Sequence, residues 1–209
     1  MSVILNNDPD KDQSKEKKVF ERFLDNSSVS YFNRGGYWIG YKISLQGTNK
    51  SPYKMLSLHN TREDVDCKNL FMKIVPIGND NYNNTENILK DFELSFTPTQ
   101  DFLNEIKFQV KIYKNTNQYL EPICPAIVYS QIINNTESKS RSVSFLNKLV
   151  NKISNPNDKV LLNDLKDIYE RHKSGRIGII VMTFADGYDT FNNVIRNVKD
   201  NSLKTYYYL

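Results

Sequence analysis

An α+β fold is what the sequence predicts: a five-stranded antiparallel sheet with one main packed helix and an inserted helical hairpin. Three observations carry this expectation. Compact runs rich in β-branched and aromatic residues, at 27–45, 68–77, 126–133 and 176–184, have strand length and are bounded by glycine, proline or polar clusters. Over 99–116, and again over 142–153 and 158–173, apolar residues recur at every third and fourth position, the period of amphipathic helices. The 209 residues are 39% hydrophobic and 12% aromatic, enough for the core of one large or two small domains and too much for a disordered chain.

The elements follow in order. Residues 1–18 include NNDPDKDQSKEKK, whose mixed charges leave no apolar period to dock, so they read as a flexible tail with order beginning near Val19. SSVSYFNRGGYWIGYKISL, residues 27–45, places Tyr, Phe, Trp, Ile and Val around Gly35–Gly36 and reads as a hairpin. After a polar loop, residues 53–58 can add a short strand, and KNLFMKIVPI, residues 68–77, forms the third main strand, ending at Pro76. Residues 79–99 are rich in asparagine and should be irregular. Thr99 to Thr116 should be helical, with Phe102, Ile106, Gln109, Val110 and Tyr113 on one face. Pro122 and Pro125 separate it from the fourth strand, AIVYSQII.

Two helices divided by NPND should then form a hairpin within the insertion 134–175, ordered because Leu161, Leu165 and Ile168 must be buried. Both insertions, 79–99 and 134–175, are expected to lie outside the sheet-and-helix unit that spans 19–192. RIGIIVMTF, residues 176–184, is too apolar to face water on either side and should be the most buried strand, with Ile179, Val181 and Phe184 inaccessible together with Phe71 or Met72. A polar helical stretch at 191–198 and the aromatic KTYYYL close a C-terminal extension, 193–209. Trp38 reads as a core residue, as do Ile180 and Met182.

Composition narrows the function classes. A net charge of +4 is too small and too dispersed for a dedicated nucleic-acid surface. Cys67 and Cys124 are too few for a disulfide scaffold or a cysteine-rich zinc site, and His59 and His172 have no matched acid or nucleophile, so no metal site is expected. No stretch has the length of a signal-peptide core or a membrane span, which reads as a cytoplasmic, membrane-free chain.

Chemistry concentrates at a lysine inside an apolar strand. Lys73 stands in LFMKI, and Glu105 stands early in the following helix, in NEIKFQ. Hairpin, strand with lysine, helix with glutamate, strand, insertion, strand: this order resembles the small, N-terminal lobe of a protein kinase. In that resemblance Lys73 takes the place of the lysine of the VAIK motif and Glu105 that of its partner. CPAIVYSQII is similar to the fourth kinase strand, and IGIIVMTFADGYDTF to the fifth strand and hinge. Met182 would then be the gatekeeper, and Thr183 to Ala185 the backbone that faces an adenine. The long insertions and the asparagine content resemble kinase-like proteins of giant DNA viruses, which would place the chain in the host cytoplasm or the virion.

The glycine loop departs from the pattern. Gly35 and Gly40 keep the outer spacing of GxGxxG, but Gly36 precedes Tyr37, which occupies the middle glycine's place. A hairpin turn with a bulge accounts for the same glycines. Lys73 admits two readings as well, a phosphate-type lysine or a snorkelling surface one, and a Lys73–Glu105 pair can fix helix to sheet without any nucleotide. No HRD, DFG or APE motif follows, so the resemblance implies a catalytically inactive module that binds a protein through faces a large lobe would cover, with ATP bound weakly or not at all. Two alternatives stand beside it: the small-lobe subunit of a split Ser/Thr kinase, and a nucleic-acid-binding α+β protein with basic and aromatic residues on an exposed sheet.

Overall fold

The computed structural model describes residues 14–46, 53–56, 64–78, 94–116, 124–134, 141–171 and 176–184. These form an α+β unit. Five strands make one antiparallel sheet in the order β1-β2-β5-β7-β6: β1 Ser27–Gly35, β2 Trp38–Leu45, β5 Asn69–Ile77, β7 Arg176–Thr183 and β6 Ile127–Asn134. β3 (Tyr53–Leu56) and β4 (Asp64–Cys67) pair as a separate ribbon. Four helices complete the described residues: α1 Ser14–Asp25, α2 Thr99–Thr116, α3 Arg141–Val150 and α4 Pro156–Arg171.

The hydrophobic period of β5 decides how the layers stack. Leu70, Met72 and Ile74 point to one face and are fully buried, whereas Phe71 and Lys73, on the other, keep some surface exposed. Beyond Ile74 the alternation stops and both Val75 and Ile77 are buried, because α2 crosses the sheet there. Pro76 therefore does not end the strand as expected. It sits in register with Ile177 of β7, beyond the last β2 partner at Ile74, so β2 asks no N–H of it, and its carbonyl accepts from Thr97 N at 2.9 Å.

The fully covered face packs on α1, α3 and α4. Ile39, Tyr41 and Ile43 of β2, Met72 and Ile74 of β5, and Ile179 and Val181 of β7 meet Phe23, Leu146, Leu149, Leu162, Leu165 and Ile168 in one cluster. The helical hairpin is thus ordered, as its leucine stripe requires, but it is no appendage: it supplies about a third of the buried residues of the main core. It also closes the outer edge of β1. Val29 N donates to Lys152 O at 3.3 Å and Tyr31 N to the Asp158 carboxylate at 3.1 Å, so donors that would otherwise template another strand are satisfied. Asn155 caps α4 through Asn157 N at 3.1 Å, with Pro156 following as the first helical residue.

Residues 14–18 correct the expected tail, because the first helix begins at Ser14 rather than near Val19. Phe20, Phe23 and Leu24 recur at helical spacing and are buried, and Phe20 stacks on Tyr129 of β6 with centroids 4.9 Å apart. The helix stops where Asn26 folds its amide back onto Arg22 O at 2.8 Å and Ser27 Oγ bonds Phe23 O at 2.6 Å.

The 79–99 insertion is corrected at its end. Leu94 is buried, and Thr97 bridges Ile77, so 94–98 runs along the sheet rather than outside it. Residues 79–93, the helical stretch at 191–198 and the C-terminal extension lie outside the described residues. β7 is an interior strand, between β5 and β6, and is buried along both faces from Ile177 to Met182, as its composition demands. Ile179, Val181 and Met72 are inaccessible, while Phe71 and Phe184 are half-exposed on the other face.

Candidate functional site

Lys73 lies at the margin of α2. Its neighbours across the sheet are Gly40 on β2 and Ile180 on β7, and its side chain reaches the helix, where the ammonium pairs with the Glu105 carboxylate. The lysine side chain keeps 15% of its surface exposed and the glutamate 39%, so this is a partly desolvated pair. The ammonium also stands 5.4 Å from the centroid of the Trp38 ring, within cation–π reach. The two residues that the kinase-lobe resemblance singled out are thus brought together by the fold.

The helix is seated by a glycine. A Cβ on Gly178 would come within 2.4 Å of the Phe102 ring, so only glycine lets that ring lie directly on β7. Gly40 serves the same purpose beside Lys73: its Cβ would meet Phe71 at 2.6 Å and Trp38 at 2.8 Å.

The remaining glycines of the expected loop form a hairpin end. Gly35 closes β1 opposite Trp38, and Gly36 and Tyr37 make the turn. The Gly36 carbonyl accepts from Ser95 N at 2.7 Å, which ties the tip to the segment leading into α2. Tyr37 projects outward, 59% exposed.

At the other end of the pocket-like corner, Met182 is buried against α2, with Gln109 Nε2 at 3.7 Å from its Sδ and bonded to Pro125 O at 3.0 Å. Thr183 is fully engaged with the start of β6: its N–H donates to Ala126 O at 2.9 Å, and its Oγ1 accepts from Ala126 N at 3.0 Å. Phe184 N is directed at Asn69 O, 3.4 Å away. The hinge N–H groups at 183 and 184, expected to face an adenine, are spent inside the fold. Ala185 lies outside the described residues.

Sequence reasoning placed Trp38 and Phe184 in the core; both are partly buried on the α2-side face, where Trp38 packs against the edge of the cluster beneath α2. There Phe32, Phe71, Phe184 and Trp38 form a connected aromatic patch. Phe32 meets Phe71 at 5.6 Å and Phe184 at 5.5 Å, Trp38 meets Phe71 at 6.0 Å, and all three contacts are edge-to-face. Lys42 lies 4.2 Å above the Phe184 ring. Phe32 owes its place to an irregularity in the β1–β2 register between Tyr31 and Asn33, and it stays 54% exposed. The readable signal was the odd-position set Phe71 and Lys73 together with Trp38, Gly40 and Lys42, which period 2 assigns to one face. The bulge at Phe32 has no such signal.

Other candidate chemistry is thin. Cys67 and Cys124 are both free thiols; burial pushes the Cys124 thiol up, away from the reactive thiolate. Among the described residues no group of three His, Cys, Asp or Glu is placed to hold a metal, and no described helix is long and apolar enough to cross a membrane. Comparison with protein-family models, with curated proteins and with solved structures gives no match to this chain.

Proposed function

We propose that the chain is a kinase-small-lobe-like module that binds a protein partner and does not itself transfer phosphate. The observation that carries this reading is the aromatic patch of Phe32, Trp38, Phe71 and Phe184 beside the Lys73–Glu105 pair, of which Phe32 is exposed and the other three are partly buried, on the half of the sheet that α2 does not cover among the described residues. An exposed aromatic ring backed by partly buried ones is the kind of anchor that protein interfaces use.

The lysine–glutamate pair supports the small-lobe likeness, and its surroundings favour a structural duty. Lys73 is shared between Glu105 and Trp38, the hairpin tip is tied down through Gly36, and the Thr183 N–H is already bonded. Phosphoryl transfer also needs groups that hold metal and orient the nucleophile, which kinases draw from HRD and DFG motifs that do not occur in this sequence.

A phosphotransfer assay with the purified protein, Mg-ATP and generic protein substrates tests the reading. No turnover is expected. Turnover that disappears in Lys73→Ala would overturn it.

A further inference from the structure

We infer that the corner where β5, β7 and the start of α2 meet binds a phosphate group, held by Arg176, Thr97 and Thr99; this does not depend on the protein-binding reading above. Among the described residues three buried side-chain nitrogen or oxygen atoms lack a hydrogen-bond partner: Thr97 Oγ1, Thr99 Oγ1 and Arg176 Nε. All three belong to this corner. Ile77, the last residue of β5, pairs with Arg176 of β7 on one side and bridges Thr97 on the other, with Thr97 N donating to Pro76 O at 2.9 Å and Gly78 N to Thr97 O at 3.1 Å. Paired neighbours share a face, so Thr97, Ile77 and Arg176 form one row on the side that α2 covers, and Thr99 opens that helix two residues later.

The charge of the corner is positive. Arg176 is half-buried, gives one Nη2 hydrogen to Gly78 O at 2.8 Å, and pairs with no carboxylate among the described residues. Its backbone is pinned, since Tyr169 Oη donates to Arg176 O at 2.8 Å. α2 is 18 residues long and starts here, so its N-terminus adds to the positive potential, and Pro98, whose carbonyl accepts from Phe102 N at 3.1 Å, offers no side-chain oxygen to the first-turn N–H groups. Asp101, the carboxylate of that turn, is exposed and bonds none of the three atoms. Thr97 keeps only 9% of its surface exposed, and a buried hydroxyl without a partner costs stability that a bound acceptor restores. Donors reach the corner from β7, from the 94–98 segment and from α2; oxygens in a tetrahedral phosphate accept from three separate directions, whereas a carboxylate accepts in its own plane. Arg176 and Thr99 are partly exposed, so the corner reaches the surface and the long arginine side chain can shift to admit the ligand.

Calorimetric titration in an amine buffer with inorganic phosphate, phenyl phosphate and acetate tests this. A dissociation constant of about 1 mM or below is expected for a phosphate, with acetate about tenfold weaker or more. Tighter binding of phenyl phosphate assigns the group to a monoester, and tighter binding of the inorganic ion assigns it to the free anion; each supports the site. Thr97→Val, which keeps the shape and removes the hydroxyl, should weaken binding about tenfold while raising the melting temperature of the unliganded protein, and Arg176→Lys, which keeps the charge and removes Nε, should weaken it comparably. Val160→Ala, at an exposed position on α4, should leave binding unchanged. Absence of binding by both phosphates up to about 10 mM, equal affinity for acetate, or full affinity in either Thr97→Val or Arg176→Lys would overturn the inference.

Discussion

Lys73 and Trp38 sit diagonally across β5 and β2, with the ammonium 5.4 Å from the ring centroid while the same ammonium binds Glu105 of α2. One cation thereby joins the central strand, the hairpin and the helix, at the boundary between the covered and open halves of the sheet.

Removing that cation should loosen the fold. Lys73→Ala strands a partly buried carboxylate, so it should destabilise by about 1–2 kcal/mol, between the range for exposed pairs and that for buried ones. For a chain of this size that is a fall in Tm of about 3–6 °C. Glu105→Gln, whose amide oxygen still accepts a hydrogen bond, should cost less. Thermal melts of the two variants check the order; an unchanged Lys73→Ala melt would show that the pair is surface decoration.

The two close-packed glycines should respond differently to a methyl group. Gly178→Ala drives a Cβ against Phe102, which is fully buried and has nowhere to turn, so about 1–3 kcal/mol of overpacking strain is expected. At Gly40 the opposing rings, Phe71 and Trp38, are half-exposed and can swing outward, so Gly40→Ala should cost less in stability while disturbing the patch. Urea denaturation of both variants, and of Gly178→Ala combined with Phe102→Leu, measures this. Recovery in the double variant is the expected sign of a direct clash.

Helix α1 belongs to the core, so Phe23→Ala should destabilise by about 3–5 kcal/mol, the cost of emptying a buried aromatic site. Deleting a dispensable tail would do nothing of the kind. A Phe23→Ala midpoint equal to wild type would detach α1 from the fold.

Alkaline pH should unfold the protein cooperatively. Burial holds the phenols of Tyr41, Tyr129 and Tyr169 well above the ordinary 10.0; Tyr31 and Asp158 add to this at Tyr41 and Glu21 at Tyr129, while Arg176 opposes it at Tyr169. Their folded-state values are raised, so their contribution is complete below pH 10.0 and drains away above it, as the unfolded chain releases protons that the folded chain keeps. Tyrosinate absorbance should show exposed phenols titrating first and a buried class appearing only with loss of circular dichroism. Smooth titration of all tyrosines in the folded state would contradict the burial.

The amount of this that sequence revealed follows from period and reach. Alternation in LFMKI and the run RIGIIVMTF located β5 and β7, because burial on one or both faces leaves a direct trace in hydrophobic pattern. Lys73 and Glu105 were legible as a pair through the resemblance of the element order to a kinase small lobe; by itself Lys73 read equally as a snorkelling surface lysine and Glu105 as part of a solvated helix face. Helix α1 was hidden: Phe20, Phe23 and Leu24 make a short stripe behind a charged run, and only the tertiary partner Tyr129 reveals its use. β4 escaped notice for a related reason, since DVDC is polar enough to read as loop and forms a strand only by pairing with β3. Phe184 was read as inaccessible but is only partly buried, because aromatic composition does not tell which half of a face a helix will cover. That choice was made by Gly178 and Phe102, far from Trp38 in sequence.

The central claim is that Lys73 holds structure and does not serve a nucleotide. Calorimetric titration with Mg-ATP, run on wild type beside the melt of Lys73→Ala, tests it most directly. The account predicts no binding in the low micromolar range and a lowered melting temperature for the variant without nucleotide. A dissociation constant in the low micromolar range, abolished by Lys73→Ala with no change in melting temperature, would contradict it.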